Sequence, residues 1–307
     1  MAYPQKQRQD ETNTTFKFRK LQVTLSLFND VFSNGSNSLN ITDLAIKANI
    51  QKLPYPDCGK ATVEIIGMKL EDMEKLSTLA FRPWFISRNY INIFAGDNQT
   101  GLTEIFAGTI VQATCDFNRA PDVCFRIEGE IGFWGRVTAT GPTAIRGEQP
   151  AADFIKGQVL KAGFTTFENN GVSANIKNCV FNGSPIHQAQ QCAKQIGAEL
   201  IFDDNTAILM QSGSTRKGNA VLLNANTGLI GYPTITQNGV ECKAIFNPDF
   251  KFAGLIQLET VVPKASGTWR IIKLAHNLTA NDPNGGAWES YITGFYPSMS
   301  GACGRYV

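Results

Sequence analysis

Val240-Glu241-Cys242-Lys243-Ala244-Ile245-Phe246 is the clearest run in the stretch Asn219 to Pro297, and that stretch decides the fold. Val240, Cys242, Ala244 and Phe246 alternate with Glu241, Lys243 and Ile245. Ile256 and Leu258 alternate with Gln257 and Glu259, and Trp269 and Trp288 open two further runs, Trp-Arg-Ile-Ile-Lys-Leu and Trp-Glu-Ser-Tyr-Ile-Thr. A period of two sends successive side chains to opposite faces, so each strand can bury one face and wet the other. Turn residues separate the runs: Gln237-Asn238-Gly239, Asn247-Pro248-Asp249, Ala265-Ser266-Gly267 and Asp282-Pro283-Asn284-Gly285-Gly286. They supply positive φ or fix it for a turn. The expectation is a twisted antiparallel sheet or a small barrel.

The same stretch carries an ordered set of turns and aromatics. Gly228-Leu229-Ile230-Gly231-Tyr232-Pro233 is followed by Asn247-Pro248, then Gly267-x-Trp269, His276 and Gly285-Gly286-x-Trp288. A second set lies upstream, Ile91-Asn-Ile-Phe-Ala-Gly-Asp and Ile105-Phe-Ala-Gly-Thr-Ile110. In order and spacing these resemble phage baseplate hub proteins, which cap the tail tube of contractile tails and carry the central spike. The resemblance covers most of residues 16 to 297 and includes no catalytic group.

Other segments divide the chain. Residues 1–15 are polar and patternless and read as an arm. Strand signals fill Phe16 to Phe28, Ile41 to Ile50, Ala61 to Gly67, Asn89 to Gly96, Thr103 to Thr109 and Val123 to Gly129. Leu70, Met73 and Leu76 recur at helical spacing, with Glu71 and Asp72 near the helix start, where the dipole favours carboxylates. Residues 16–146 therefore read as one β domain with a single helix. Pro150 suits a first helical position, and Ala151, Ile155, Val159 and Ala162 form a face that Gly163 stops. A strand over Val172 to Phe181 follows. Ser184-Pro185 is an N-cap followed by proline, and Ile186, Ala189, Cys192, Ala193 and Ile196 make a second helical face. Ala198 to Phe202 and Thr206 to Met210 read as a hairpin across Asp203-Asp204-Asn205. Residues 147–213 are thus a small α/β module, and 214–307 a second β domain, with strands shared between the β domains. The fold class is mainly β (α+β), with two tail-tube-like β-barrel or sheet domains and a small α/β module between them.

Composition bounds the function. The chain has 307 residues, 43% of them hydrophobic and 18% charged, enough for two or three cored domains. Its net charge of +2 argues against a dedicated nucleic-acid binder. No apolar run approaches about 18 residues, so no membrane span is expected, and the N-terminus has no apolar signal region. The seven cysteines form no CxxC pair and read as reduced, mostly buried thiols. Cys115 and Cys124 would bond only if a hairpin register set them opposite.

Candidate chemistry is sparse. His187 and His276 are the two histidines, and a triad or zinc centre needs several converging donors. His276, at an expected strand end, is assigned hydrogen bonding within the fold. Asp203-Asp204-Asn205 reads as an Asx turn rather than a cation site. Arg216-Lys217, and the arm with Lys6, Arg8, Lys17, Arg19 and Lys20, read as solvated charge. Trp134, Trp269 and Trp288 lie in strand patterns and read as packing groups; a sugar-stacking use is the alternative. The structural candidates are Trp134, Trp269, His276 and Trp288, with no catalytic residue, metal or cofactor. Trp269 and Ile271 set against Ile272 and Leu274 suggest a strand apolar on both faces, hence a subunit contact.

The hub resemblance implies a homotrimeric ring. Each subunit would offer two similar β domains, nearly sixfold toward the tail tube protein and threefold toward a separate central spike protein. Other baseplate subunits would surround it, and DNA would pass through the channel without specific binding. The expected location is the virion, after synthesis in the host cytoplasm. A β-rich receptor- or glycan-binding tail component is the alternative, and a tail-borne cell-wall hydrolase lacks its acid, base or metal ligands.

Overall fold

The computed structural model describes residues 18–77, 88–118, 120–237 and 239–296. The arm at 1–15 and Cys303 lie outside them. The first β unit contains β1 (Arg19–Ser26), β2 (Ser38–Ile41), β3 (Ala45–Lys52), β4 (Lys60–Ile66), α1 (Leu70–Leu76), β5 (Tyr90–Asp97), β6 (Gly101–Asp116), β7 (Cys124–Glu130) and α2 (Phe133–Val137). An α/β module follows: β8 (Thr143–Ala144), β9 (Glu148–Pro150), α3 (Ala151–Lys161), β10 (Thr166–Asn170), β11 (Asn175–Lys177), β12 (Val180–Phe181), α4 (Pro185–Gln195), β13 (Ala198–Asp203) and β14 (Thr206–Gln211). The second β unit holds β15 (Val221–Leu223), β16 (Leu229–Thr236), β17 (Gly239–Ile245), β18 (Leu255–Leu258), β19 (Gly267–Ala280) and β20 (Trp288–Phe295).

One sheet runs through both β units in the order β16-β17-β20-β19-β3-β4-β7-β6-β5-β1-β2, with β18 on β19 and β15 on β18. It is mainly antiparallel and open, not a closed barrel. β19 is its hub strand. Its start pairs β18, its end pairs β3 from Leu274↔Lys52 to Ala280↔Ile46, and its other edge pairs β20. Strands from distant segments thus complete one another.

The apparent two-faced apolarity of β19 has a local cause. A bulge interrupts its pairing with β20 between Ile271 and Lys273. The extra residue shifts the parity of alternation. Trp269 and Ile271 are buried before it, and Leu274, His276, Leu278 and Ala280 after it. Ile271, Leu274 and Trp269 belong to one core cluster.

The module sets α3 and α4 against a sheet of β10-β14-β13, in which β10 and β14 run parallel. Ser184 caps α4, accepting from the His187 backbone N–H at 3.4 Å, with Pro185 at N1 as expected. A large apolar core joins the first β unit to Phe154, Ile155, Ile186 and Ala189 of the module's helices. A second core, including Val240, Ile256, Trp269 and Ile292, belongs to the second unit.

Several expectations change. The first unit has two helices among its described residues, because Gly132 at φ 65° starts α2. Leu70 is exposed, and Asp72 is buried instead, accepting from the Ser33 backbone N–H at 2.8 Å and from Ser33 Oγ at 2.9 Å. Pro150 is the N-cap of α3 rather than its first residue. Residues 172–181 split into β11 and β12. Cys124 pairs Asp116 while Cys115 pairs Phe125, so the two cysteines are not opposed and do not bond to each other. No helix among the described residues is long and apolar enough to cross a membrane.

Candidate functional site

The densest chemistry lies where the module meets the sheet. On β3, Ile46, Ala48, Ile50 and Lys52 share the buried face. Lys52 thus ends an apolar row with an ammonium group under the β3–β19 seam. The β13–β14 hairpin answers it. Its turn is tight, with Asp204 at φ 54°, and Asp203 follows the buried Leu200, Ile201 and Phe202. Lys52 Nζ donates to Asp203 Oδ1 and Asp204 Oδ2, each at 2.7 Å. Arg216 donates to Asp203 Oδ2 at 2.6 Å and to Glu168 Oε1 at 3.2 Å. On the neighbouring strands, Arg270 Nη2 donates to both Glu199 oxygens at 2.9 Å.

The electrostatics follow from burial and pairing. Burial opposes the Lys52 charge, but the two carboxylates outweigh it and hold Lys52 above its ordinary pKa. Burial also works against charge on Asp203, where Lys52 and then Arg216 prevail and hold it low. Burial, with the Asp203 charge beside it, outweighs Lys52 and Lys251 at Asp204 and pushes its carboxyl up to about 6. Asp204 Oδ1 and Arg270 Nε have no hydrogen-bond partner.

His276 faces this cluster from the middle of β19, not from a strand end. It sits opposite Ser290, and its Nδ1 lies 2.8 Å from Ser290 Oγ. The Phe246 ring meets it edge-on at 5.2 Å. Burial, then the Lys52 charge, pushes its pKa down to about 3, so the ring is neutral. A histidine–serine pair has the atoms of a nucleophile and its base. Here, however, the histidine is 2% exposed and the serine 0%, so no substrate reaches them.

The other candidates are packing groups in different settings. Trp269 is buried and its Nε1–H donates to the Ala265 carbonyl at 2.8 Å. Trp288 is half-buried, edge-on to Phe246 at 5.4 Å, with the Arg19 guanidinium 5.7 Å from its ring. Trp134 lies in α2 rather than in a strand, with the Arg88 guanidinium 5.5 Å from its ring. The structure brings His276 and Trp288 together around Phe246 and leaves Trp134 and Trp269 apart. His187 stands at the start of α4, away from both.

Sequence reasoning missed the ionic cluster. It read Asp203-Asp204 as a turn alone and Arg216 as solvated, whereas both are paired. The signal was present: Lys52 continues the inward parity of Ile46, Ala48 and Ile50. Among the described residues, no group of His, Cys, Asp and Glu is placed to hold a metal ion. Burial raises the thiols of Cys192 and Cys242 to about 12 and that of Cys58 to about 11, which keeps them protonated.

The fold, an open and mainly antiparallel sheet carrying an α/β module, is similar to that of solved tail proteins. The 43 kDa tail protein of prophage MuSo2 from Shewanella oneidensis aligns with a TM-score of 0.59 at 9% identity, over 91% of this chain and 99% of that one. A tail protein from Neisseria meningitidis MC58 gives 0.60 at 7%, over 92% and 98%. A chain of the Francisella PdpA–VgrG complex gives 0.56 at 9%, over 92% of this chain and 59% of that one. No curated protein matches by sequence. The family itself is defined by sequence: residues 20–284 match the Baseplate hub gp41 model, and the chain belongs to that family. It is a structural component of a phage baseplate.

Proposed function

We propose that three copies of this chain close into a ring that joins the sixfold tail tube of a contractile tail to a threefold central spike, leaving a channel for DNA. The observation that carries this reading is the edge-to-edge joining of two antiparallel β units at β3–β19, in a chain of the hub family. Two β units per chain give three chains six β faces, and a closed ring satisfies all its interfaces. The division into residues 16–146, 147–213 and 214–307 belongs to the same reading, with the shared sheet as its seam. Partners are further copies of the chain, the tube protein, a separate spike and other baseplate subunits. DNA passes without specific binding, in keeping with a net charge of +2.

The protein acts by assembly rather than by catalysis. Support comes from the sealed His276–Ser290 pair and from carboxylates already committed to Lys52, Arg216 and Arg270. No observation favours a glycan-binding role: Trp269 is sealed, and Trp288 and Trp134 are packed against Phe246, Arg19 and Arg88. The test is a particle map at the hub level. Three copies around the channel, each placing both β units toward the tube, are expected; six copies in one ring would overturn the proposal.

A further inference from the structure

The β13–β14 hairpin grips both β units, and it does so with charge. Asp203 offers one oxygen to Lys52 of the first unit and the other to Arg216, in the segment leading into the second. Glu199 holds Arg270 on β19. Asp203 faces Lys52, Arg216, Lys251 and Asp204, with neutral His276 nearby.

Apolar contact is distributed unevenly around this grip. The module shares the large core with the first unit, to which the second adds Phe246, Leu278 and Ala280. Between hairpin and second unit the apolar contact is small: Ile201, Ile208 and Met210 meet Phe252 and Ala253. A desolvated ion pair adds little net stability over an apolar contact, but it tolerates little misplacement. The unpartnered Asp204 Oδ1 and Arg270 Nε sit at this same junction, and they regain water when it opens.

We propose that the β13–β14 hairpin is an electrostatic clasp, which sets the second β unit on the first and lets the β3–β19 seam open locally while each unit stays folded. The inference concerns one chain and is independent of the ring.

Hydrogen exchange on the intact chain tests it. Asp203→Asn and Glu199→Gln are expected to speed exchange about tenfold in β3 and in the Leu274–Ala280 half of β19, while β6, β7 and β17 keep wild-type protection. Uniform acceleration, or none, would overturn the clasp. The double variant Lys52→Met/Asp203→Asn separates the clasp from the penalty of an orphaned buried charge. A seam that stays loose in the double variant supports the clasp, and restored protection refutes it. If Asp203→Asn fails to fold, Glu199→Gln, whose side chain is 32% exposed, carries the test alone.

Discussion

Acid should destabilise this chain through His276. In the unfolded chain the imidazole titrates near 6.5, and in the folded chain at about 3. Between those values the unfolded state binds a proton that the folded state refuses. Stability therefore falls as pH drops below about 6.5, and the loss is complete near 3. One pKa unit corresponds to about 1.4 kcal/mol. At pH 4.5 the loss is about 3 kcal/mol, and over the whole window about 4–5 kcal/mol. Set against a typical total of about 5–15 kcal/mol, this is a large fraction.

Two neighbours titrate as well. Asp203, held low, loses its contribution as pH falls through its depressed folded value. Asp204, held high, acts in the opposite sense and disfavours folding as pH rises toward about 6. The comparison that isolates the histidine is therefore wild type against His276→Gln, which keeps a polar group for Ser290 and removes the titration. Urea denaturation at pH 7.5 and 4.5 should show wild type losing about 3 kcal/mol more than the variant. Equal losses would mean that the ring is hydrated or already charged in the fold, and the burial argument would fail.

Three further outcomes are expected. Trp269→Ala should cost about 3–5 kcal/mol in chemical denaturation, and Trp288→Ala clearly less, because Trp288 is only half-buried; equal costs would contradict the packing described. Lys52→Ala should cost about 3–5 kcal/mol by leaving Asp203 and Asp204 side by side without their shared ammonium, and a melting temperature like wild type would show that the pair is solvated. Gly239 has φ 123°, and a Cβ there would lie 2.1 Å from the Gly294 carbonyl oxygen. Gly239→Ala should therefore cost at least about 2 kcal/mol, visible as loss of β17 and β20 amide protection.

The local structure was legible where a short period met a clear stop. The β13–β14 hairpin, the Ser184 cap and β3 to β4 follow from alternation and turn chemistry over ten or so residues. The mainly β class was legible through alternation, and the family through the order of glycines and aromatics that marks the hub proteins. What stayed hidden depends on distant partners. Nothing near Lys52 says that Asp203 will meet it, and nothing near Asp203 says that the turn faces inward. Trp134 was misplaced because α2 is only five residues long, too short for helical periodicity to show. His276 was set at a strand end because β19 runs on to Ala280, past the Asn277 that looked like a stop.

The β3–β19 seam has a consequence for synthesis. Asn49 and Asn277, which bond across it, lie 228 residues apart. Until β19 leaves the ribosome, β3 waits with one row of backbone N–H and C=O groups unpaired. Such an edge templates pairing with other chains, and long-range closure is slow. β4, β7 and β6 can assemble while translation continues, but the sheet cannot be completed before the last tenth of the chain emerges. Lys47, Asn49 and Gln51 on the outward face keep that waiting edge polar. They guard the nascent protein for most of its translation against pairing with its neighbours on the same message.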